Sequence, residues 1–395
     1  MVTLHRCKRQ ELVCVFTSFF IYSALAPEPG ESDSFLLHRR MSYQTLSYTI
    51  IKGSEDLKLI KTTEAAGHVL CHDITRIVKD SAKDTVFRKG HVVTSEDIPV
   101  LLSIGKEHLY IWEKTEGTLH ENEAAQVLYG MCKNEYMIPS EIKEGKIDIF
   151  TSIDGLLKAD KKRLMQINAL GELMIAARHG NFTVKKGDKL AGTRIIPLNI
   201  EETKLARAKE LAGTEPLLKI LPFLNKKVGI VTTGSEVYYG RIKDTFGPVI
   251  IEKLKEYPAQ VLGLRIVNDE QEKITAAILE FIEEEADFVI CTGGMSVDPD
   301  DTTPGAIKNT GAEIISYGAP VLPGAMFLLS YYKGRIPIIG LPGCVMYAKR
   351  TIFDLVLPRI MAEDRITKEE LAELGHGGLC LDCGQCTFPN CGFGK

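Results

Sequence analysis

Between residues 224 and 362 short apolar runs alternate with amphipathic ones. "KKVGIVTTG", "AQVLGLRIV", "ADFVICTGG" and "RIPIIGLPG" are apolar throughout and bounded by turn residues, so they read as buried strands. Between them "DTFGPVIIEKLKEY", "EQEKITAAILEFIEEE" and "TPGAIKNTG" read as helices, the second with an acidic outer face. "VMYAKRTIFDLVLPRIMA" reads as a long closing helix. Such alternation predicts a parallel sheet covered by helices on both faces.

Upstream, the pattern is less regular. "FRKGHVVTSEDIPVLLSIGKEHLYIWE" predicts a short helix from near Glu96, capped by Thr94 or Ser95 and ended by Gly105, followed by a strand over "HLYIWE". Residues 161–178 have helical apolar spacing interrupted by Gly171, and "FTVKKGDKLAGTRIIPLNI" reads as strand, Lys-Gly turn, strand. The fold expected is therefore α/β: a three-layer, mostly parallel sheet domain over 224–362, preceded by a mixed α+β region over 57–223. A hinge and a cysteine-rich tail follow over 363–395.

Composition narrows the class. The 395 residues are 45% hydrophobic and 25% charged, as in an ordinary globular chain. A formal net charge of −4, with no basic patch interleaved with aromatics, argues against nucleic acid as a partner. Residues 1–56 read as an extension. The basic His5, Arg6, Lys8 and Arg9, an apolar run from Leu12 to Ala26 and the closing Ala24-Leu25-Ala26 have the order of a secretory signal. The competing reading is an upstream start, with Met41 or a later residue nearer the true beginning. Clustered thiols in the tail favour that second reading and a cytoplasmic location. The apolar run is short for a membrane span of about 20 residues.

Ligands of parallel sheets bind beyond the C-terminal ends of the strands. Here the strands end in glycine loops, at Gly234, at Gly293 and Gly294, and from Gly340 to Gly343. Backbone N–H groups at such turns approach a phosphate where a side chain would obstruct it. Asp298, Asp300 and Asp301 crowd the second loop, and their repulsion requires water, a cation or a helix start to offset it. The simpler reading is a charged loop capping a helix from Thr303, with Pro304 in its first turn.

"TTGSEV" followed by "GRIKDT", then "TGGMSVDPDDTTP", then "GLPG" resembles, in order and internal spacing, the molybdopterin-binding domain of molybdenum-cofactor biosynthesis proteins. The likeness covers about 224–362, and 57–223 weakly resembles the N-terminal part of molybdopterin molybdenumtransferase. It implies the molybdopterin-binding fold, with Thr233, Gly234, Ser235, Asp244, Gly293, Gly294, Ser296, Gly340, Leu341, Pro342 and Gly343 holding the pterin and its phosphate. Glu236 and Asp301 would position Mg²⁺ or water as the catalytic acids. The implied reaction is Mg²⁺-dependent insertion of molybdate into adenylylated molybdopterin with release of AMP. Phe246 and Cys344-Val345 depart from the family at positions where it carries asparagine and asparagine-proline, and no counterpart of its C-terminal β-barrel is read. These departures favour the alternative of a non-catalytic molybdopterin carrier or maturation factor for a molybdoenzyme. The related adenylyltransferase is a third reading, since its motif is close to "DDTTP". Expected partners are adenylyl-molybdopterin, molybdate, a molybdoenzyme and a second copy of the chain, with neither nucleic acid nor membrane.

Four of the ten cysteines fall in the last sixteen residues, "CLDCGQCTFPNCGFGK". Cys380, Cys383, Cys386 and Cys391 supply two C-x2-C steps and a fourth thiol, a pattern that wraps either Zn²⁺ or an iron–sulfur cluster. The order is that of a bacterial ferredoxin loop with its last gap one residue longer. "ELGHGG" before it reads as a flexible hinge that frees the tail from the sheet domain.

Overall fold

A computed structural model describes residues 57–76, 84–112, 117–299 and 301–395. The expected extension over 1–56, and Asp300, lie outside the described residues. The strand-forming runs assemble a six-stranded sheet: β1 (Lys226–Thr233), β2 (Ala259–Val267), β3 (Phe288–Thr292), β4 (Glu313–Tyr317), β5 (Leu328–Tyr332) and β6 (Ile336–Leu341). Their order is β2-β1-β3-β6-β5-β4. The first four in that order are parallel, whereas β5 runs against them and pairs antiparallel with both β6 and β4.

Side-chain alternation along β3 shows the three layers. Phe288 and Ile290 join one apolar cluster, with Ile250, Phe353 and Val356. Val289 and Cys291 join another, with Ile274, Ile278 and Ile307. Successive side chains of a strand point to opposite faces, so α2 (Phe246–Leu254) and α5 (Ile352–Met361) cover one face. The other is covered by α3 (Gln271–Glu283) and α4 (Thr303–Asn309). A single turn, α1 (Ser235–Tyr238), follows β1, and α6 (Lys368–Glu373) follows α5.

Three expectations need correction. The closing helix is not continuous: a 3-10 turn over Gly343–Met346 is separated from α5. Thr351 starts α5 anew, its hydroxyl accepting from Phe353 N while the Asp354 carboxylate accepts from Thr351 N at 2.8 Å. This reciprocal capping satisfies N–H groups that a continuous helix would have paired internally. The apolar run over 161–178 also divides, into a helix Lys161–Asn168 and a strand Leu173–Ala177. Gly171 and Glu172 take left-handed φ values of 73° and 61° there. The Asn168 amide then locks the break by exchanging two hydrogen bonds with the Ile175 backbone, at 2.9 and 3.0 Å. Finally, neither Thr94 nor Ser95 caps the helix Asp97–Ser103; Asp97 instead accepts from the Thr94 N–H and hydroxyl at 2.8 Å each.

The upstream region is mixed α+β. Met137–Pro139, Ile147–Thr151, Lys189–Ile195 and Leu173–Ala177 form a four-stranded sheet in that order. Gly155–Ala159 lies between Phe182–Val184 and Leu218–Pro222 in another sheet. The two strands flanking the Lys-Gly turn therefore go to different sheets. Lys158 pairs with Asp364 at 2.7 Å, tying this region to the end of the α/β domain.

The tail is not a free appendage. Phe393 is buried in the α2–α5 core, with Phe388, Cys380 and Cys391 packed against it. Cys380 N donates to Leu322 O, and Leu322 N to Gly378 O, each at 2.8 Å. Gly394 N donates to Gly377 O at 2.9 Å. The glycines expected to form a hinge are thus bonded into the fold, because the aromatic residues after them have a core to enter.

Candidate functional site

The C-terminal ends of β1, β2 and β3 are laced together. Thr303 donates its hydroxyl to Gly293 O at 2.9 Å and lies 3.1 Å from the Thr233 hydroxyl. Ser235 N donates to the Asp269 carboxylate at 2.8 Å, and Thr302 donates to Asp269 O at 2.7 Å. Gly293 and Gly294 have φ of 83° and 54°. A Cβ on Gly293 would overlap the Thr233 carbonyl oxygen, and one on Gly294 would sit 2.9 Å from Thr303 Oγ1. Glycine is therefore required here for the close crossing of two loops as well as for the turn itself.

Beyond this crossing lies a cavity of about 280 Å³. Thr233, Gly234, Glu236, Asp244, Gly293, Gly294 and Asp301 line it, so seven sequence-predicted residues meet in one place. Ser235, Ser296, Gly340, Leu341, Pro342 and Gly343 are not among its lining residues. Ser235 engages Asp269, and Ser296 O accepts from Tyr317 OH at 3.1 Å. Gly340 packs on Met295, and Leu341 is fully buried in the core. The third loop reaches the cavity through Met346 instead.

Two charged lining residues escaped the sequence reading, Lys243 and Asp269. Both carried a signal: Lys243 sits inside "GRIKDT", and Asp269 lies two residues past the C-terminal end of β2. Asp244 does more than face the cavity, accepting from Phe246 N at 2.9 Å and Gly247 N at 3.2 Å at the start of α2. Asp301 accepts from Asp298 N at 3.3 Å, and Asp298 O accepts from Asp301 N at 2.9 Å, closing the acidic loop on itself. Tyr317 reaches from β4 to donate to Met295 O at 2.9 Å. Burial, reinforced by the Asp301 charge, pushes its phenol up, so it stays a neutral donor.

The charge balance decides what this cavity can accept. Glu236, Asp244, Asp269 and Asp301 face Lys243, four carboxylates against one ammonium. An approaching phosphate would be repelled unless a cation accompanied it. The donors are all oxygen, which suits a hard cation. Among the described residues no three histidines, cysteines or acids are gathered tightly enough for one metal ion. Mg²⁺ needs no such cage, since it keeps several waters and takes one or two carboxylates plus substrate phosphate. In the tail, Cys383 and Cys386 are exposed, whereas Cys380 and Cys391 are half-buried.

No helix among the described residues is long and apolar enough to cross a membrane. Residues 229–362 match a family described as a probable molybdopterin binding domain, the resemblance read from the glycine loops. Residues 59–113 match a domain of unknown function. The molybdopterin molybdenumtransferase of Staphylococcus epidermidis is 24% identical over 303 residues, 72% of this chain and 66% of that protein. The molybdopterin molybdenumtransferase of Synechococcus elongatus is 26% identical over 202 residues, 46% of this chain and 47% of its own length. The chain thus spans less than two thirds of these curated relatives. Among solved structures, the molybdopterin biosynthesis enzyme MoaB of Thermus thermophilus is 24% identical, covering 34% of this chain and 91% of its own, with a TM-score of 0.29.

Proposed function

We propose that the domain over 224–362 binds molybdopterin and that the chain acts in molybdenum-cofactor biosynthesis, inserting molybdate into adenylylated molybdopterin with release of AMP. The observation that carries this reading is the cavity where Gly234, Gly293 and Gly294 meet Glu236, Asp244 and Asp301 at one sheet edge. Its 280 Å³ suits the phosphate-bearing part of the ligand, with the remainder along the open edge. The match of this domain to a molybdopterin-binding family supports the pterin as ligand.

In this reading Glu236 and Asp301 hold hydrated Mg²⁺, which supplies charge neutralisation at the phosphate when bound. Lys243 and the loop N–H groups orient the phosphate, while Asp269 fixes α1 through Ser235 N. Molybdate is substrate rather than resident metal. Partners in the same reading are a downstream molybdoenzyme and a second copy of the chain.

AMP release from adenylyl-molybdopterin, followed by chromatography, should require both molybdate and Mg²⁺. Saturable calorimetric binding of molybdopterin without any AMP release would convert the assignment to a carrier. That second reading draws on Asp244, whose carboxylate already serves the α2 backbone. Absence of binding by the folded protein would remove both.

A further inference from the structure

The tail cysteines do not gather as a metal centre would need. Among the described residues no three histidines, cysteines or acids stand close enough for one ion. The four divide into two kinds instead. Cys380 and Cys391 are half-buried and pack against the α2–α5 core, whereas Cys383 and Cys386 are exposed. The remaining described cysteines are shielded: burial pushes the Cys71 thiol up to about 11 and that of Cys132 to about 12, and it raises Cys291 and Cys344 as well. A thiol kept protonated is a poor nucleophile. Among the described cysteines, sulfur chemistry therefore falls to the exposed pair.

The loop that carries this pair is curled. Asp382 takes a left-handed φ of 48°, and the chain bends at Gly384 and Gln385. Lys349 donates to Gly384 O at 3.1 Å and so holds the loop from the side. Cys383 and Cys386 face one half-open groove of about 390 Å³, together with Lys349, Arg350, Leu381 and Phe388. Arg350 lies over the Phe388 ring at 5.0 Å. Burial works against its charge, but Asp354, Glu256 and Cys386 hold it protonated, so a guanidinium stands beside the second sulfur. Two thiols spaced C-x2-C on a bent loop, with cations beside them, are the setting in which dithiols react with disulfides.

We infer that Cys383 and Cys386 are a redox-active dithiol that exchanges with disulfide substrates lodged in this groove. One cysteine loses its proton to solvent and attacks the substrate disulfide. The substrate S–S bond breaks, and the departing thiolate takes up a proton. The other cysteine then displaces the remaining substrate sulfur, closing a Cys383–Cys386 disulfide and releasing a second thiol. Two electrons pass from the dithiol to the substrate. Lys349 and Arg350 face the negative charge that sulfur carries in both attacks, and Leu381 and Phe388 give the substrate an apolar wall.

Met346 lines the cavity at the sheet edge, and Lys349, three residues on, carries the bond to the dithiol loop. One short segment thus borders the dithiol and the candidate pterin site. The exchange itself does not depend on what that site binds.

The test gives the reduced full chain oxidised glutathione as the probe disulfide. The product expected is lighter by two hydrogens and lacks two titratable thiols, and dithiothreitol restores both. Cys383→Ser and Cys386→Ser should each stop at a mixed disulfide carrying one glutathione, with far-UV circular dichroism unchanged because both side chains are exposed. Cys380→Ser with Cys391→Ser should still close the bond. A folded chain that does not react, a bond that includes Cys380, Cys391 or a second chain, or closure that persists in either single variant would each overturn the assignment.

Discussion

At the scale of single residues, the glycine pair after β3 was legible in the sequence, but its reason was not. Sequence alone suggested that a side chain at Gly294 would enter the path of a phosphate. The structure instead sets both glycines against protein: Thr233 for Gly293 and Thr303 Oγ1, at 2.9 Å, for Gly294. Such crossings join loops 60 to 70 residues apart in the chain, which no local pattern records. Gly293→Ala should therefore cost about 2 kcal/mol or more of stability, through overlap and a strained φ, read as a lower urea midpoint. Asp301→Asn removes one negative charge from the carboxylates around the cavity. It should raise the Mg²⁺ concentration needed for half-maximal AMP release about tenfold and shift molybdopterin affinity much less. An equal loss of both would remove Asp301 from the metal's shell.

At the scale of elements, the buried strands were plain because parallel-sheet strands are apolar on both faces. Helix ends were read less well, since they depend on partners distant in sequence. The restart of α5 at Thr351 rests on Asp354, which is 3% exposed and pairs with Lys253 at 2.7 Å and Arg350 at 2.8 Å. Asp354→Ala strands Lys253, leaves Arg350 only Glu256 at 3.4 Å and loses the cap together, so a destabilisation of about 3 kcal/mol is expected in chemical denaturation. A pH effect belongs to the helix Glu121–Cys132, capped by His120. Asn122 N donates to His120 Nδ1, and Nε2 donates to Cys71 O at 3.0 Å, which requires neutral imidazole. Burial, partly opposed by the Cys71 hydrogen bond and reinforced by the Lys89 charge, depresses its pKa from 6.5. Burial and the Lys106 charge depress that of His72 likewise. The unfolded chain then binds the protons first, so stability is complete above 6.5 and falls as pH drops below it. Glu121, raised from 4.5 by burial, acts in the opposite sense at lower pH. Thermal melts between about pH 7.5 and 5.5 should show the decline, flattened by His120→Asn, which keeps an acceptor at the cap.

At the scale of the whole molecule, the alternation of strands and helices disclosed the sheet domain, but not its antiparallel edge. β4 and β5 are half-buried or interrupted by polar residues such as Ser316 and Ser330, so neither stands out as an apolar run. The glycines of "ELGHGG" suggested a tail free of the sheet domain. Its aromatic residues nevertheless complete the core. Phe388 stacks near Phe182 of the upstream region at 5.9 Å, and Lys395 lies 5.3 Å over the same Phe182 ring. Truncation after Gly375 should therefore lower the melting temperature and increase binding of a hydrophobic dye, with the loss of buried Phe393 alone worth about 3 kcal/mol. An unchanged melt would show that the tail only rests on the surface.

The burial of Phe393 also bears on the order of events during synthesis. Residues 380–395 leave the ribosome after every strand of the sheet, and domains ordinarily fold from the N-terminus onward as they emerge. Here the patch formed by Phe182 and Leu355, against which Gly394 packs, has to wait uncovered until residues 388–394 have emerged. Nascent chains stalled just before residue 380 should accordingly be digested by protease more readily than chains in which residue 395 has emerged, and a chaperone that shields apolar surface would have its opportunity in that interval.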